Sequence, residues 1–317
     1  MQFGLREICD QPADQFFTRR GGFCSPGCWA ALIARAANEG LTLDALNLSD
    51  EHRGYLEALR AEAALGHADT YRMNRPGQGE RYSPIIALRN EASVDSATSC
   101  MQDCVRHLLN NQAPAAFVDT MCDVVGDLHD NVWSHALSPG YSVAQRWRGY
   151  RSHNELFEFA LADCGLGFLG ELRRSGVAQE QHIETDEQAI GWCVVEGNSS
   201  KPGNDDEWAQ RVPEDAIGNP MPGTTRAGPD NHHLGLGLAK LTGAVRRFGG
   251  QLWLASGRQI LQVAASGTET YVPIRNPWQG VALACRFDMS LVARAPQQEV
   301  DPVVEDIARL LRERAQP

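Results

Sequence analysis

The sequence has no run of apolar residues near the roughly 18 that a membrane-crossing helix needs, no internal repeat and no low-complexity tract. It does not read as a membrane span, a collagen or a disordered chain. Residues Met1 to Cys9 carry no basic region followed by an apolar stretch, so no secretory signal is expected. Basic charge is the scarcer sign: 29 Lys and Arg stand against 40 Asp and Glu, a formal charge of −11. Nucleic acid and anionic membrane surfaces need phosphate neutralisation, so neither is an expected partner. Local pairs such as Arg173–Arg174 and Arg246–Arg247 remain able to hold an anion. The nine cysteines are odd in number and scattered, which excludes a disulfide-stapled mini-protein and leads us to expect reduced thiols in the cytoplasm.

What is present is ordinary globular composition: 317 residues, 43% apolar and 22% charged. That length suggests two domains, each large enough for its own core. Pro26 opens an apolar helical run from Cys28 to Ala37 that stops near Gly40. Leu41 to Leu48 alternates like a strand, and Ser49 and Asp50 cap a helix expected to reach Leu65. Pro84 to Leu88 reads as a short strand. Helices are expected over Ser96 to Leu109 and from Pro114 to just before Ser138-Pro139-Gly140, the second with an apolar stripe of Phe117, Met121, Val124, Leu128 and Val132. A strand follows over Leu156 to Ala162. Asn198 to His233 is rich in Gly, Pro, Asn and Asp, a length without structure that often marks a functional lid. A helix over Leu238 to Phe248, strands over Gln251 to Ala255, Ile260 to Ala264 and Val281 to Phe287, and an amphipathic helix over Asp301 to Arg314 complete the reading.

Three segments carry chemistry. On the helix from Pro114, Asp127, Asn131 and His135 recur every four residues and share a face away from the apolar stripe. A carboxylate, an amide oxygen and an imidazole in that row suit a hydrated Mg²⁺ with its phosphates; a solvated polar face is the ordinary alternative. Asp163-Cys164-Gly165-Leu166-Gly167 follows a strand. A carboxylate there can accept from an adenine amino group, and the glycines admit a base and ribose close to the backbone. The same residues also fit a dinucleotide fingerprint, Gly165-x-Gly167-x-x-Gly170, with Glu184 about 20 residues on. Gly235-Leu236-Gly237-Leu238 opens a helix and offers free N–H groups to phosphate, or simply close helix packing.

Asp163 follows Asn131 by 32 residues, and Gly235 follows Asp163 by 72. In that order and spacing the chain resembles the GHKL superfamily of histidine-kinase-like ATPases. Asp127 to His135 looks like its N-box, Asp163-x-Gly165-x-Gly167 its first glycine box, and Gly235-Leu236-Gly237-Leu238 its second. Gly249-Gly250-Gln251-Leu252 with Ser256-Gly257 resembles the following helix-to-strand turn. The likeness covers about residues 115 to 290. It implies a Bergerat-type two-layer α/β sandwich with a mixed sheet over 96–290, an ATP lid over about 168–234 and a C-terminal helix over 291–317. It implies the cofactors ATP and Mg²⁺. Asn131 would hold Mg²⁺, His135 would sit near the phosphates, and Asp163 would read adenine. Gly165 and Gly167 would line base and ribose, and Leu234, Gly235, Leu236, Gly237 and Leu238 would wrap the triphosphate. Asp127 would be the catalytic base. The histidine four residues after Asn131 is similar to anti-sigma-factor serine kinases. Residues 1–95 are expected as a separate small α/β module, weakly resembling STAS domains through Phe23-x-Ser25-Pro26, the helix after it, and Tyr55-Leu56.

Two departures bear on activity. Asp127 stands where the family usually has Glu, one methylene longer, and a shift near 1 Å can cost on the order of 10²-fold in rate. Gly280-Val281 stands where the last box often reads Gly-Thr. His107 is followed by Leu108 and the next proline is Pro114, so the phosphoacceptor signature of sensor histidine kinases is not matched. Too few residues follow 290 for the transducer domain of clamp ATPases. A four-thiolate zinc site from Cys24, Cys28, Cys100 and Cys104 has three residues between paired cysteines, where two are commoner. His232-His233 and Asp205-Asp206-Glu207 read as loop. The expected function is a regulatory ATPase or serine/threonine-type protein kinase with a protein partner or phosphoacceptor, and as a homodimer like many kinase relatives. The alternatives are a nucleotide-gated interaction protein and a dinucleotide-dependent oxidoreductase.

Overall fold

Alternate residues of one central strand, Glu155–Asp163, divide the molecule into two packed faces. Phe157, Phe159 and Leu161 enter one hydrophobic cluster and Ala160 and Ala162 the other, as the two-residue period of a strand dictates. The computed structural model describes residues 2–3, 5–9, 13–15, 22–149, 154–198, 200 and 236–295. In chain order the N-terminal elements are β1 (Gln2–Phe3), α1 (Leu5–Cys9), β2 (Phe23–Cys24), α2 (Pro26–Asn38), α3 (Asp50–Ala58), α4 (Ala61–Leu65) and β3 (Ile86–Leu88). Then follow α5 (Glu91–Leu109), α6 (Ala115–Asn131), β4 (Gly140–Arg148), β5 (Glu155–Asp163), α7 (Gly167–Arg174), α8 (Val177–Glu180) and α9 (Asp186–Cys193). The last are α10 (Leu236–Arg247), β6 (Gln251–Val263), β7 (Glu269–Asp288) and α11 (Met289–Val292).

The fold is an α/β sandwich on a five-stranded sheet ordered β3-β4-β5-β7-β6. Every pairing in that sheet is antiparallel, not mixed as expected. The strand β4, unread in the sequence, takes part in two of these pairings, with β3 and with β5. On the first face lie α5, α6 and α10. The apolar stripe of α6 is wholly buried, and the Phe117 ring meets Phe248 and Phe287 edge-on at 4.9 Å each. Pro114 is the N-cap of α6, one place before its expected position. The helix runs on as a π-turn over Val132–Ala136, and Leu137 at φ 54 ends it before Pro139.

The second face corrects the expected domain boundary near residue 95. Residues of α1 to α4 share one cluster with Tyr141, Val143, Ala160, Ala162, Ala282 and Ala284 of the sheet, so the described residues of 1–95 and 96–290 are joined through a common core. Small residues make this close approach possible: a Cβ on Gly27 would stand 2.6 Å from that of Ala284. The Gly27 N–H, in the first turn of α2, donates to Glu158 Oε1 at 2.8 Å, and Arg286 Nε donates to Glu158 Oε2 at 2.7 Å. Glu158 is 0% exposed, a buried charge matched by a guanidinium that lies against Trp147 and Trp253.

Other differences are local. Leu41 to Leu48 holds a short 3-10 turn, Leu43–Ala45, in place of a strand. The helix expected to reach Leu65 breaks where Arg60 takes φ 61, giving α3 and α4. The two strands read over 251–264 are one, β6, interrupted by a bulge at Ser256 and Gly257. The region read as a lid from 168 begins with α7, α8 and α9, which close around Leu172, Ala178, Ile183 and Ala189. Residues 201–235 and the helix expected over 301–314 lie outside the described residues. Among the described residues no helix is long and apolar enough to cross a membrane.

Candidate functional site

A cleft open to solvent lies where α6, β5, α7, α10 and β7 converge on the first face of the sheet. Its walls are mostly apolar, including Leu128, Leu161, Phe168, Trp192 and Leu238. Its polar groups are few and specifically placed.

Asp163 closes one end. It is the last residue of β5 and 3% exposed. Its Oδ1 accepts from the Gly165 N–H at 2.9 Å and the Val281 N–H at 3.3 Å. Burial pushes its carboxyl up to about 7, against the two amide hydrogen bonds that favour the ionised form. The turn after it admits no side chains. A Cβ on Gly165 would stand 2.0 Å from the Ala136 carbonyl oxygen. Gly280, at φ 90, lies against Asp163 and Gly165 in the same way. Ser256 locks this turn to the β6 bulge: its Oγ accepts from the Phe168 N–H at 3.0 Å and donates to the Gly280 carbonyl at 3.0 Å. Behind it Trp278 Nε1 donates to the Asp163 carbonyl at 3.1 Å, and Arg35 of α2 covers the Trp278 ring at 4.7 Å. Gly280 and Val281 therefore meet Asp163 through their backbone.

Further polar groups come from α6 and the π-turn that continues it. Asn131 and His135 line the cleft as a pair one turn apart. Asp127, the third member, is not among the described residues lining it. Its carboxylate is 2.7 Å from Lys240 Nζ of α10, and Gly237 packs over it so closely that a Cβ there would lie 2.7 Å from the Asp127 Cβ. His129, on another face of the same helix, is buried, with Nδ1 3.0 Å from Thr98 Oγ1 and its proton affinity pushed down to about 3 by burial.

His135 belongs to a cluster that sequence reasoning missed. Its Nδ1 is 3.0 Å from Glu171 Oε1, on α7. Arg174 grips Glu171 through two hydrogen bonds, 2.7 and 2.8 Å. Ser200 Oγ lies 3.1 Å from Glu171 Oε1 and 3.2 Å from His135 Nδ1. Burial works to raise the Glu171 carboxyl, but its hydrogen bonds to Arg174 and His135 outweigh that and hold it below the usual glutamate range. Nδ1 therefore carries the ring proton and donates to a carboxylate. Glu171 and Arg174 are three apart on a helix, a signal the sequence did contain; Ser200 had none.

The remaining expected residues divide cleanly. Gly167 and Leu238 line the cleft, Gly165 packs behind it, and Gly237 packs against Asp127 and Asn131. Leu236 opens α10, while Leu234 and Gly235, with His232-His233 and Asp205-Asp206-Glu207, lie outside the described residues. The dinucleotide fingerprint stands between antiparallel strands, so no βαβ unit surrounds it. Cys24 and Cys28 lie in the second-face cluster while Cys100 and Cys104 are on α5 across the sheet, and among the described residues no group of three or more His, Cys, Asp or Glu is placed for a metal. The chain matches no protein-family model, no curated protein and no solved structure.

Proposed function

We propose that the cleft binds Mg-ATP and that the chain is a cytoplasmic regulatory protein of the histidine-kinase-like type. The observation that carries this reading is Asp163. A carboxylate buried at a strand end, its Oδ1 held by two backbone amides, lines a mostly apolar cleft. An ionised carboxylate there accepts a hydrogen bond from the 6-amino group of adenine and has no donor for the O6 of a 6-oxo purine. Gly165, Gly167 and Gly280 let the turn beside Asp163 close tightly on itself, and Gly167 lines the cleft. On α6 the Asn131 amide oxygen suits a magnesium ion that takes its remaining ligands from water and phosphate. Bound there, the metal would neutralise phosphate charge. The N-terminus of α10 faces the same region, and N–H groups at a helix start favour anions.

Two readings of the outcome differ in chemistry. As an ATPase or serine/threonine-type kinase, the chain moves phosphate to water or to a partner hydroxyl, with Asp127 as base. As a nucleotide-gated interaction protein, it binds ATP and presents that state to a partner. The Asp127–Lys240 pair under Gly237 favours the second, because a base must reach the proton it takes.

Calorimetric titration with ATP and with NAD, each with and without Mg²⁺, tests the reading. Magnesium-dependent ATP binding is expected, weakened by Asp163→Asn and, in its magnesium dependence, by Asn131→Ala. Equal binding by both variants and the parent would sink it, and NAD binding would favour the oxidoreductase alternative. Phosphate release on the same samples separates turnover from gating.

A further inference from the structure

We propose that Ser200 is a phosphoacceptor within the chain itself, positioned in the cleft by Glu171, His135 and Arg174. The inference rests on the cleft holding a nucleoside triphosphate and names one destination for its terminal phosphoryl group.

Among the described residues lining the cleft, Ser200 carries the one hydroxyl. It is held there from two sides. Its Oγ donates to Glu171 Oε1 at 3.1 Å and lies 3.2 Å from His135 Nδ1. Two residues earlier, Asn198 Nδ2 donates to the Trp192 carbonyl at 2.8 Å, which ties this stretch to the end of α9. The one thiol among the described lining residues, that of Cys193, is kept protonated, with burial pushing it up to about 12. The groups around Ser200 match what an attacking hydroxyl needs. Glu171 is a proton acceptor within hydrogen-bond reach, and Arg174 fixes its orientation through two bonds. Phosphoryl transfer asks for positioning more than for a strong base, so a carboxylate of lowered proton affinity suffices. Asp127 is paired elsewhere, which leaves Glu171 as the carboxylate at this end of the cleft.

In the step, Ser200 Oγ forms a bond to the γ-phosphorus as the bond from that phosphorus to the β–γ bridging oxygen breaks. The nucleoside diphosphate departs with the electron pair. The hydroxyl proton passes to Glu171 Oε1 and on to solvent. His135 and Arg174 stand beside the resulting phosphoserine, whose charge they partly offset.

The test uses the whole chain with Mg-ATP, read by intact mass and by fragmentation to locate the phosphate, alongside calorimetry with a non-hydrolysable ATP analogue. The expected result is one phosphoryl group on Ser200, acid-stable as a serine ester is, formed at a rate independent of protein concentration. Ser200→Ala loses it and Ser200→Thr keeps it. Glu171→Gln slows it on the order of tenfold to a hundredfold through loss of positioning. Analogue binding with no phosphate at Ser200 overturns the inference and leaves the nucleotide reading standing. Acid-labile phosphate on His135, or phosphate only at another residue, overturns it likewise. Absence of analogue binding removes both.

Discussion

Gly280 lies directly against Asp163: a Cβ at Gly280 would stand 2.4 Å from the Asp163 carbonyl oxygen and 2.5 Å from its Oδ1. Its φ of 90 is in the left-handed region that L side chains avoid. Gly280→Ala is therefore expected to destabilise the fold by about 1–3 kcal/mol and to displace the Asp163 carboxylate from its two amides. A lower thermal midpoint together with weakened adenosine binding is the expected pair of results. A variant that melts and binds like the parent would show that the turn has room to yield.

The Asp163 carboxyl has a signed pH dependence. Burial raises it to about 7 in the native state, above the roughly 3.9 of an unfolded aspartate. The native state thus holds this proton more tightly. Its contribution to stability is full below about pH 4, declines as pH rises to about 7, and changes no further above that. Urea midpoints of the parent and of Asp163→Asn should diverge along that limb. Adenosine affinity should move the opposite way, rising about tenfold from pH 6 to pH 8 as the carboxylate ionises. A flat adenosine profile would mean that the base is not read by this carboxylate.

Asp127 and Lys240 should behave as a coupled pair. Lys240→Met leaves a carboxylate that is 3% exposed without its cation. Breaking a buried pair from one side typically costs about 3–5 kcal/mol, and partial exposure of the lysine places this case at the low end. Asp127→Asn with Lys240→Met should recover most of that loss. Strict additivity in the double-mutant cycle would show that the two groups do not interact.

Glu158 joins the second face to the sheet. Glu158→Ala removes the acceptor of both Gly27 and Arg286. A guanidinium then remains against Trp147 and Trp253 without its carboxylate, again a loss of about 3–5 kcal/mol. Glu158→Gln keeps the acceptor for the Gly27 N–H and should lose less. Because α2 shares its core with β4, β5 and β7, unfolding should stay a single transition followed by far-UV and tryptophan signals alike. Two separate transitions would restore an independent N-terminal module.

Much of the first face was legible in order. The stripe Phe117, Met121, Val124, Leu128, Val132 has helical spacing, and all five side chains are buried, four on α6 and Val132 in the π-turn after it. Asp163 followed by two glycines marked a strand end and a tight turn, and both are there. The second face was misread because α2 is apolar nearly all round, which periodicity alone cannot assign to one partner. Nothing local in Ala160, Ala162, Ala282 and Ala284 says that their small size exists to admit a helix. The strand β4 escaped notice because its mixed composition, Gly140 to Arg148, becomes a strand through pairing with β5.

The sequence by itself determined which residues are candidates for chemistry: Asp127, Asn131 and His135 recur at four-residue spacing, and Asp163 stands at a strand end before two glycines. Only the tertiary structure decided their company. It paired Asp127 with Lys240, 113 residues on in the chain, and turned His135 toward Glu171 and Ser200. Spacing along one element is a local property of the backbone, whereas which charge meets which depends on how separate elements pack, and that is settled by burial across the whole core.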